Sequence, residues 1–151
     1  MDVYENLKNK NLQLPSPPPE GGVYTKVKQV GNFLFVSGQG PTFEGKPLFM
    51  GKVGKEISLE EGQEAATVCA MNILSCLHEY LGDLNRVKNV VKVLAFVASA
   101  EGFGEQPKVI NSASSLFEGV FGEKGKHARS AIGTSELPGN IPVEIEAIIE
   151  V

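Results

Sequence analysis

Val143-Glu144-Ile145-Glu146-Ala147-Ile148-Ile149-Glu150-Val151 carries an almost regular alternation of apolar and acidic residues. Successive side chains of a strand leave on opposite faces, so Val143, Ile145, Ala147, Ile149 and Val151 share one face. Glu144, Glu146, Ile148 and Glu150 share the other. The odd-numbered face belongs against a core. The even-numbered face is acidic but interrupted by Ile148.

Working outward from this strand, Val87 to Ala98 is a long β-branched run with apolar residues of both parities, as expected of a strand covered on much of both faces. Val23–Val30 and Phe33–Ser37 read as a hairpin around Gly31-Asn32, two residues that accept the positive φ of a primed turn. His127–Gly133 reads as a further short strand, and Leu137-Pro138-Gly139-Asn140 as a turn. Residues 41–57 read as a long loop with a short strand around Leu48–Met50.

Two helices separate these runs. Ser58 and Glu61 have the spacing of a capping box, in which each side chain satisfies a backbone donor at the open helix end. Gly62, Ala66, Cys69, Ile73, Cys76, Leu77 and Tyr80 form the apolar stripe of the helix that follows. Glu60, Glu64, Thr67, Ser75 and Glu79 face elsewhere, and Gly82 is its stop signal. His78 reads as a surface residue interacting with the helix dipole. Pro107 suits the first turn of a second helix. Val109, Ala113, Leu116, Phe117 and Val120 give that helix its apolar side, and Gly122 ends it.

The order is β-β-α-β-α-β-β, an α+β layer architecture with a mixed sheet and two helices on one face. In a monomer the glutamate face would be solvated. Apolar residues on that face ask instead for a partner surface, which oligomerisation supplies. Residues 1–22 read as a helix or arm followed by a proline-rich strap, Leu14 to Gly22, and residues 23–151 as the domain.

The chain has 151 residues, 42% of them hydrophobic and 21% charged, ordinary values for one globular domain. A formal net charge of −4 disfavours a general nucleic-acid binder. The polar first residues lack a signal peptide's apolar region, and no run approaches the ~20 apolar residues of a membrane span, so a cytoplasmic location is expected. Cys69 and Cys76 fall about two helical turns, ~10 Å, apart. That exceeds the reach of a disulfide, ~7 Å between Cα atoms, and leaves two buried thiols in a reducing compartment.

The chemistry concentrates in Lys126-His127-Ala128-Arg129-Ser130-Ala131 and in the last strand. A partly buried guanidinium requires an anion and offers it a rigid fork. That anion is either Glu144 or Glu146, in a structural ion pair, or a substrate carboxylate. Asn111-Ser112-Ala113-Ser114-Ser115 places hydroxyls at helical spacing, where they either line a cleft or pack. There is no Walker loop, no Gly-x-Ser-x-Gly elbow and no zinc-ligand spacing, and Gly38-Gln39-Gly40 is too short for a dinucleotide fingerprint.

Val36-Ser37-Gly38-Gln39, His127-Ala128-Arg129-Ser130, Leu137-Pro138 and Val143-Glu144-Ile145-Glu146-Ala147-Ile148 together resemble the RidA/YjgF family, also called L-PSP endoribonuclease-like. The resemblance runs from about Tyr24 to the C-terminus. Glu60-Glu61-Gly62-Gln63 and Gln106-Pro107-Lys108-Val109-Ile110-Asn111 resemble a distinct, less studied branch. The resemblance implies a chorismate-mutase-like fold and a homotrimer whose sheets close an inner barrel, with clefts between subunits. It further implies hydrolysis of imines and enamines such as 2-aminoacrylate to 2-oxo acids and ammonia, with no metal or organic cofactor. Carried over by position, Arg129 pairs with the substrate carboxylate and Glu144 orients the water. Tyr24, Ser37, Gly38 and Phe117 line the cleft. Ser114 stands where that branch has an asparagine, unless Asn111 serves from one turn away. Ala131 stands where it often has cysteine, which removes any thiol-dependent step. The alternatives are a non-catalytic trimer that binds small carboxylates and, third, an endoribonuclease, against which the acidic charge and the lack of a suitable histidine pair speak.

Overall fold

A computed structural model describes residues 2–151. Helix α1, Val3–Asn9, opens the chain. Asp2 caps it, its carboxylate accepting from the Tyr4 amide at 2.8 Å. α1 is fastened by side chains: Asn6 donates to the Val120 carbonyl at 2.9 Å and Val3 and Leu7 are buried. The strap that follows has no regular structure and lies along the next helix, where Ser75 Oγ donates to the Pro15 carbonyl at 2.6 Å. Ser75, expected to face away from the core, is therefore buried under the strap.

Strands β1, Val27–Val30, and β2, Phe33–Gln39, form the expected hairpin, with Gly31 at φ 58° in the turn. β1 begins four residues later than expected. Val23 is fully exposed and Tyr24 half-exposed, because the chain is still bending out of the proline strap, and the ladder is first joined where the Ser37 amide donates to the Lys26 carbonyl. The 41–57 segment holds a small hairpin of β3, Thr42–Phe43, and β4, Lys46–Pro47. The strand expected at Leu48–Met50 is absent. Glu44 and Gly45 both take positive φ, which closes the turn earlier in the segment.

Helix α2, Leu59–Leu81, starts at the Ser58–Glu61 capping box and ends at Gly82 in the left-handed region. Tyr80 closes the expected stripe but is exposed, its hydroxyl donating to Gln29. His78 is not simply a surface cap. Its Nδ1 lies 2.9 Å from the Tyr4 hydroxyl, whose oxygen also accepts from the Leu84 amide at 2.8 Å. β5, Asn89–Ala98, α3, Gln106–Phe121, β6, Ala128–Thr134, and β7, Val143–Glu150, complete the chain.

The main sheet has the order β1-β2-β7-β5-β6, with β6 parallel to β5 and the other pairs antiparallel. Alternation in β7 is as read: Val143, Ile145, Ala147 and Ile149 are buried. They meet Val97, Ala95, Val93 and Val90 across β5, and α2 and α3 cover this face. Burying each valine or isoleucine among them contributes roughly 1.5–3 kcal/mol. The opposite face carries no helix. Val30, Phe33, Phe35 and Ile132 stand exposed there, beside the half-buried Leu94, Phe96 and Ile148. A contiguous apolar surface of this kind marks an interaction face.

Candidate functional site

Sheet register divides the expected site residues into two groups. Arg129 pairs with Val93, and Val93 with Ala147, so Arg129 leaves β6 on the helix-covered side. Glu144 pairs with Phe96 and leaves β7 on the open side. Two strand spacings, roughly 10 Å, and the sheet itself separate them within one protomer. An ion pair between Arg129 and Glu144 or Glu146, one of the two partners the sequence allowed, does not form.

The first group is built by α3 and β6. Asn111 and Ser114, one helical turn apart, both face the sheet edge. Arg129 Nη1 donates to Asn111 Oδ1 at 2.9 Å and to Ser114 Oγ at 3.1 Å. Among the described residues no carboxylate pairs with Arg129, so its charge is held by neutral acceptors alone. Ala131 lies next along the same side of β6, half-buried. Phe117, expected to line the cleft, is instead fully buried in the core. It meets the His127 ring edge-on, with centroids 5.9 Å apart.

His127 is the member of this group that sequence reasoning missed. Its Nε2 lies 2.9 Å from Ser114 Oγ and its Nδ1 2.6 Å from the Gly125 carbonyl. Gly125 lets the chain turn tightly beneath α3, where a Cβ would come to 2.8 Å from the Glu118 Cα. The signal was parity: two residues before Arg129 in an extended segment is the same side of the chain.

The second group gathers at the β2–β7 seam. The ladder slips between Val36 and Gln39, so Ser37 and Gly38 sit in an irregularity. Ser37 Oγ donates to the Thr25 carbonyl at 2.7 Å, next to Tyr24. The Tyr24 hydroxyl accepts from the Gly21 amide at 3.0 Å, and its ring is half-exposed. The Glu144 carboxylate lies over Gly38, where a Cβ would come to 2.9 Å from Glu144 Cδ. Burial, and secondarily the negative charge of Glu146, raise the Glu144 carboxyl above its ordinary pKa. A depression of about 490 Å³ on the open face adjoins this seam, lined by Lys28, Phe35, Ser37, Lys92, Leu94 and Glu146 among others.

The thiols are not part of either group. Cys69 and Cys76 are free and buried. Burial pushes the Cys69 thiol well up, and pushes Cys76 to about 11, so neither supplies a thiolate near neutrality. Among the described residues no three metal-ligating side chains come together, and no helix is long and apolar enough to cross a membrane.

Residues 5–146 match the family model described as "YjgF/chorismate_mutase-like, putative endoribonuclease". The chain is 40% identical to protein TCP17 of Trypanosoma cruzi, over 98% of this chain and 93% of that protein. It is 30% identical to a 2-iminobutanoate/2-iminopropanoate deaminase of Dermatophagoides farinae, over 91% of this chain and 93% of that protein. A crystal structure of the protein Atu1372, of unknown function, from Agrobacterium tumefaciens superposes with a TM-score of 0.90 at 42% identity, covering 99% of this chain and 91% of that one. The chain belongs to the RidA/YjgF family and has its chorismate-mutase-like α+β fold.

Proposed function

We propose that the protein hydrolyses reactive 2-imino and enamine acids to 2-oxo acids and ammonia, in clefts between the subunits of a homotrimer. The observation that carries this reading is the Arg129 guanidinium, fixed by Asn111 and Ser114 and left without a carboxylate partner. Such a group is preorganised for a ligand carboxylate, which a guanidinium holds by two parallel hydrogen bonds. The similarity to a deaminase over nearly the whole chain supplies the substrate class.

An iminium carbon is already electrophilic, so the reaction requires a fixed substrate and one placed water rather than a strong nucleophile. Arg129 holds the carboxylate. Glu144 orients the water and accepts its proton as oxygen bonds to carbon, giving a carbinolamine. Return of that proton to nitrogen makes ammonia the leaving group; as it departs, Glu144 takes the carbinolamine hydroxyl proton, the carbonyl forms, and that proton leaves with the ammonia as ammonium. A carboxyl with a raised pKa suits a group that takes and returns a proton. Ala131 adds no chemistry beside Arg129.

The opposed placement of Arg129 and Glu144 supports a shared cleft, in which Arg129, Ser114 and Asn111 of one subunit face Glu144, Gly38, Ser37 and Tyr24 of its neighbour. The exposed apolar face supports burial of the sheet in a trimeric barrel. Two free buried cysteines fit a reducing compartment such as the cytoplasm. The ribonuclease reading draws no support from the histidines, each of which is committed to a separate hydroxyl, Tyr4 and Ser114. The test is turnover of freshly generated 2-iminobutyrate. Binding of carboxylates without turnover would indicate the non-catalytic trimer instead.

A further inference from the structure

The hydrogens between Gly125 and Arg129 can be assigned from geometry alone. A carbonyl only accepts, so His127 Nδ1, 2.6 Å from the Gly125 oxygen, carries a hydrogen in either charge state. In the neutral ring Nε2 is then a bare acceptor. Ser114 Oγ lies 2.9 Å away, so its single hydrogen goes to that nitrogen. The same oxygen accepts from Arg129 Nη1 at 3.1 Å. Ser114 is left with one unused lone pair and no hydrogen for a ligand. In the imidazolium form Nε2 becomes a donor, Ser114 Oγ accepts from both His127 and Arg129, and its own hydrogen is released toward the cleft.

We propose that His127 sets the hydrogen-bond polarity of Ser114 and thereby what the Arg129 subsite accepts beside a carboxylate. With the ring neutral, the subsite takes a ligand bearing N–H next to its carboxylate. With the ring charged, it takes one bearing an oxygen acceptor there. This deepens, and rests on, the reading of Arg129 as the carboxylate anchor. Its consequence is discrimination between substrate and product, since an imino acid carries the N–H and a 2-oxo acid does not. A site aimed at an N–H leaves its own acceptor facing an oxygen when the product occupies it, and such mismatches discriminate more strongly than shape does.

The charged groups around the imidazole are few. Arg129 lies on the same strand. Lys126 precedes it, paired with Glu123 at 2.8 Å, and Glu118 of α3 also acts on Lys126. β5 pairs Lys92 with Ala128 and Val93 with Arg129, and Phe117 covers the ring edge.

The test is binding of 2-aminobutyrate and of 2-oxobutyrate to the intact oligomer, by calorimetry, at ~pH 8 and at ~pH 5.5. Neither probe changes charge in that interval. The wild type is expected to favour the amino acid at the higher pH, and that preference should shift roughly tenfold toward the oxo acid at the lower. In His127→Phe the Ser114 hydrogen is free at every pH, so the preference should be lost and should not titrate. Ser114→Ala, which leaves the ring in place, should also give a pH-independent ratio. A wild-type ratio that does not move with pH, while Arg129→Ala abolishes binding of both probes, would overturn this inference and leave the carboxylate anchor standing. Binding of neither probe by the wild type, or undiminished binding by Arg129→Ala, would overturn the anchor and this inference with it.

Discussion

Arg129 and Glu144 leave the same sheet on opposite faces, two strands apart. If both serve one reaction, they serve it from different subunits. Arg129→Ala and Glu144→Gln homo-oligomers should each be inactive. Mixed oligomers formed by subunit exchange should recover activity, because some clefts then pair an intact Arg129 with an intact Glu144. Imine turnover against mixing ratio reads this directly. No recovery, with exchange demonstrated by mass spectrometry, would mean that the two groups do not serve one reaction.

Gly38 is the floor beneath the Glu144 carboxylate, and a methyl there would overlap it. Gly38→Ala is expected to cost about 1–3 kcal/mol of stability through overpacking. It should also displace the carboxylate and lower kcat by at least roughly tenfold, the scale of a misplaced proton-transfer group. Affinity for a carboxylate inhibitor, read by calorimetry, should fall less than kcat, because in the proposed cleft the carboxylate is held by Arg129 of the neighbouring subunit. Loss of that affinity together with kcat would mean the two groups are not separable.

Burial first, and Glu146 second, raise the Glu144 pKa. A carboxyl whose folded pKa exceeds its unfolded value binds more protons in the folded state across the interval between the two. Its ionisation therefore costs stability as pH rises through that interval, and the cost persists at neutral pH. Glu144→Gln should unfold at a higher temperature than wild type at pH 7, and the difference should shrink on acidification below the ordinary glutamate range. Glu146→Gln should move the acid limb of the kcat/KM profile to lower pH, but only part of the way, because burial remains. An unmoved limb would assign the whole shift to burial.

The Tyr4 hydroxyl holds α1 to the body through His78 and the Leu84 amide. Tyr4→Phe strands both partners, at an expected cost of about 1–3 kcal/mol in denaturant unfolding. Catalytic constants measured on the folded fraction should be unchanged, since α1 touches neither group of site residues. A fall in kcat would show that the arm acts on the cleft.

The fold was legible where local chemistry decides it. Ser58, Glu61 and Gly82 mark the ends of α2 by capping alone, and the parity of Val143 to Ile149 identifies its buried face. The expected loop with a short strand at Leu48–Met50 is instead a small hairpin at 42–47, because Glu44, with no special turn propensity, takes a left-handed conformation beside Gly45. Candidate residues can be singled out from the sequence one by one, but not their arrangement. Arg129 and Glu144 drew attention by charge and context, whereas their opposition depends on the pairing of β5 with both β6 and β7. Phe117 is given to the cleft by the family resemblance and to the core by the apolar side of its helix, and its full burial agrees with the second. His127 was overlooked because its partner Ser114 is on another element.

Arg129 is proposed to anchor the carboxylate of an imine that the protein hydrolyses. The most direct measurement is the decay of freshly generated 2-iminobutyrate and 2-aminoacrylate with wild type and with Arg129→Ala, both confirmed folded and equal in size. Acceleration by wild type and none by Arg129→Ala is the predicted result. Equal acceleration by the variant, or none by the wild type with either substrate, would contradict it.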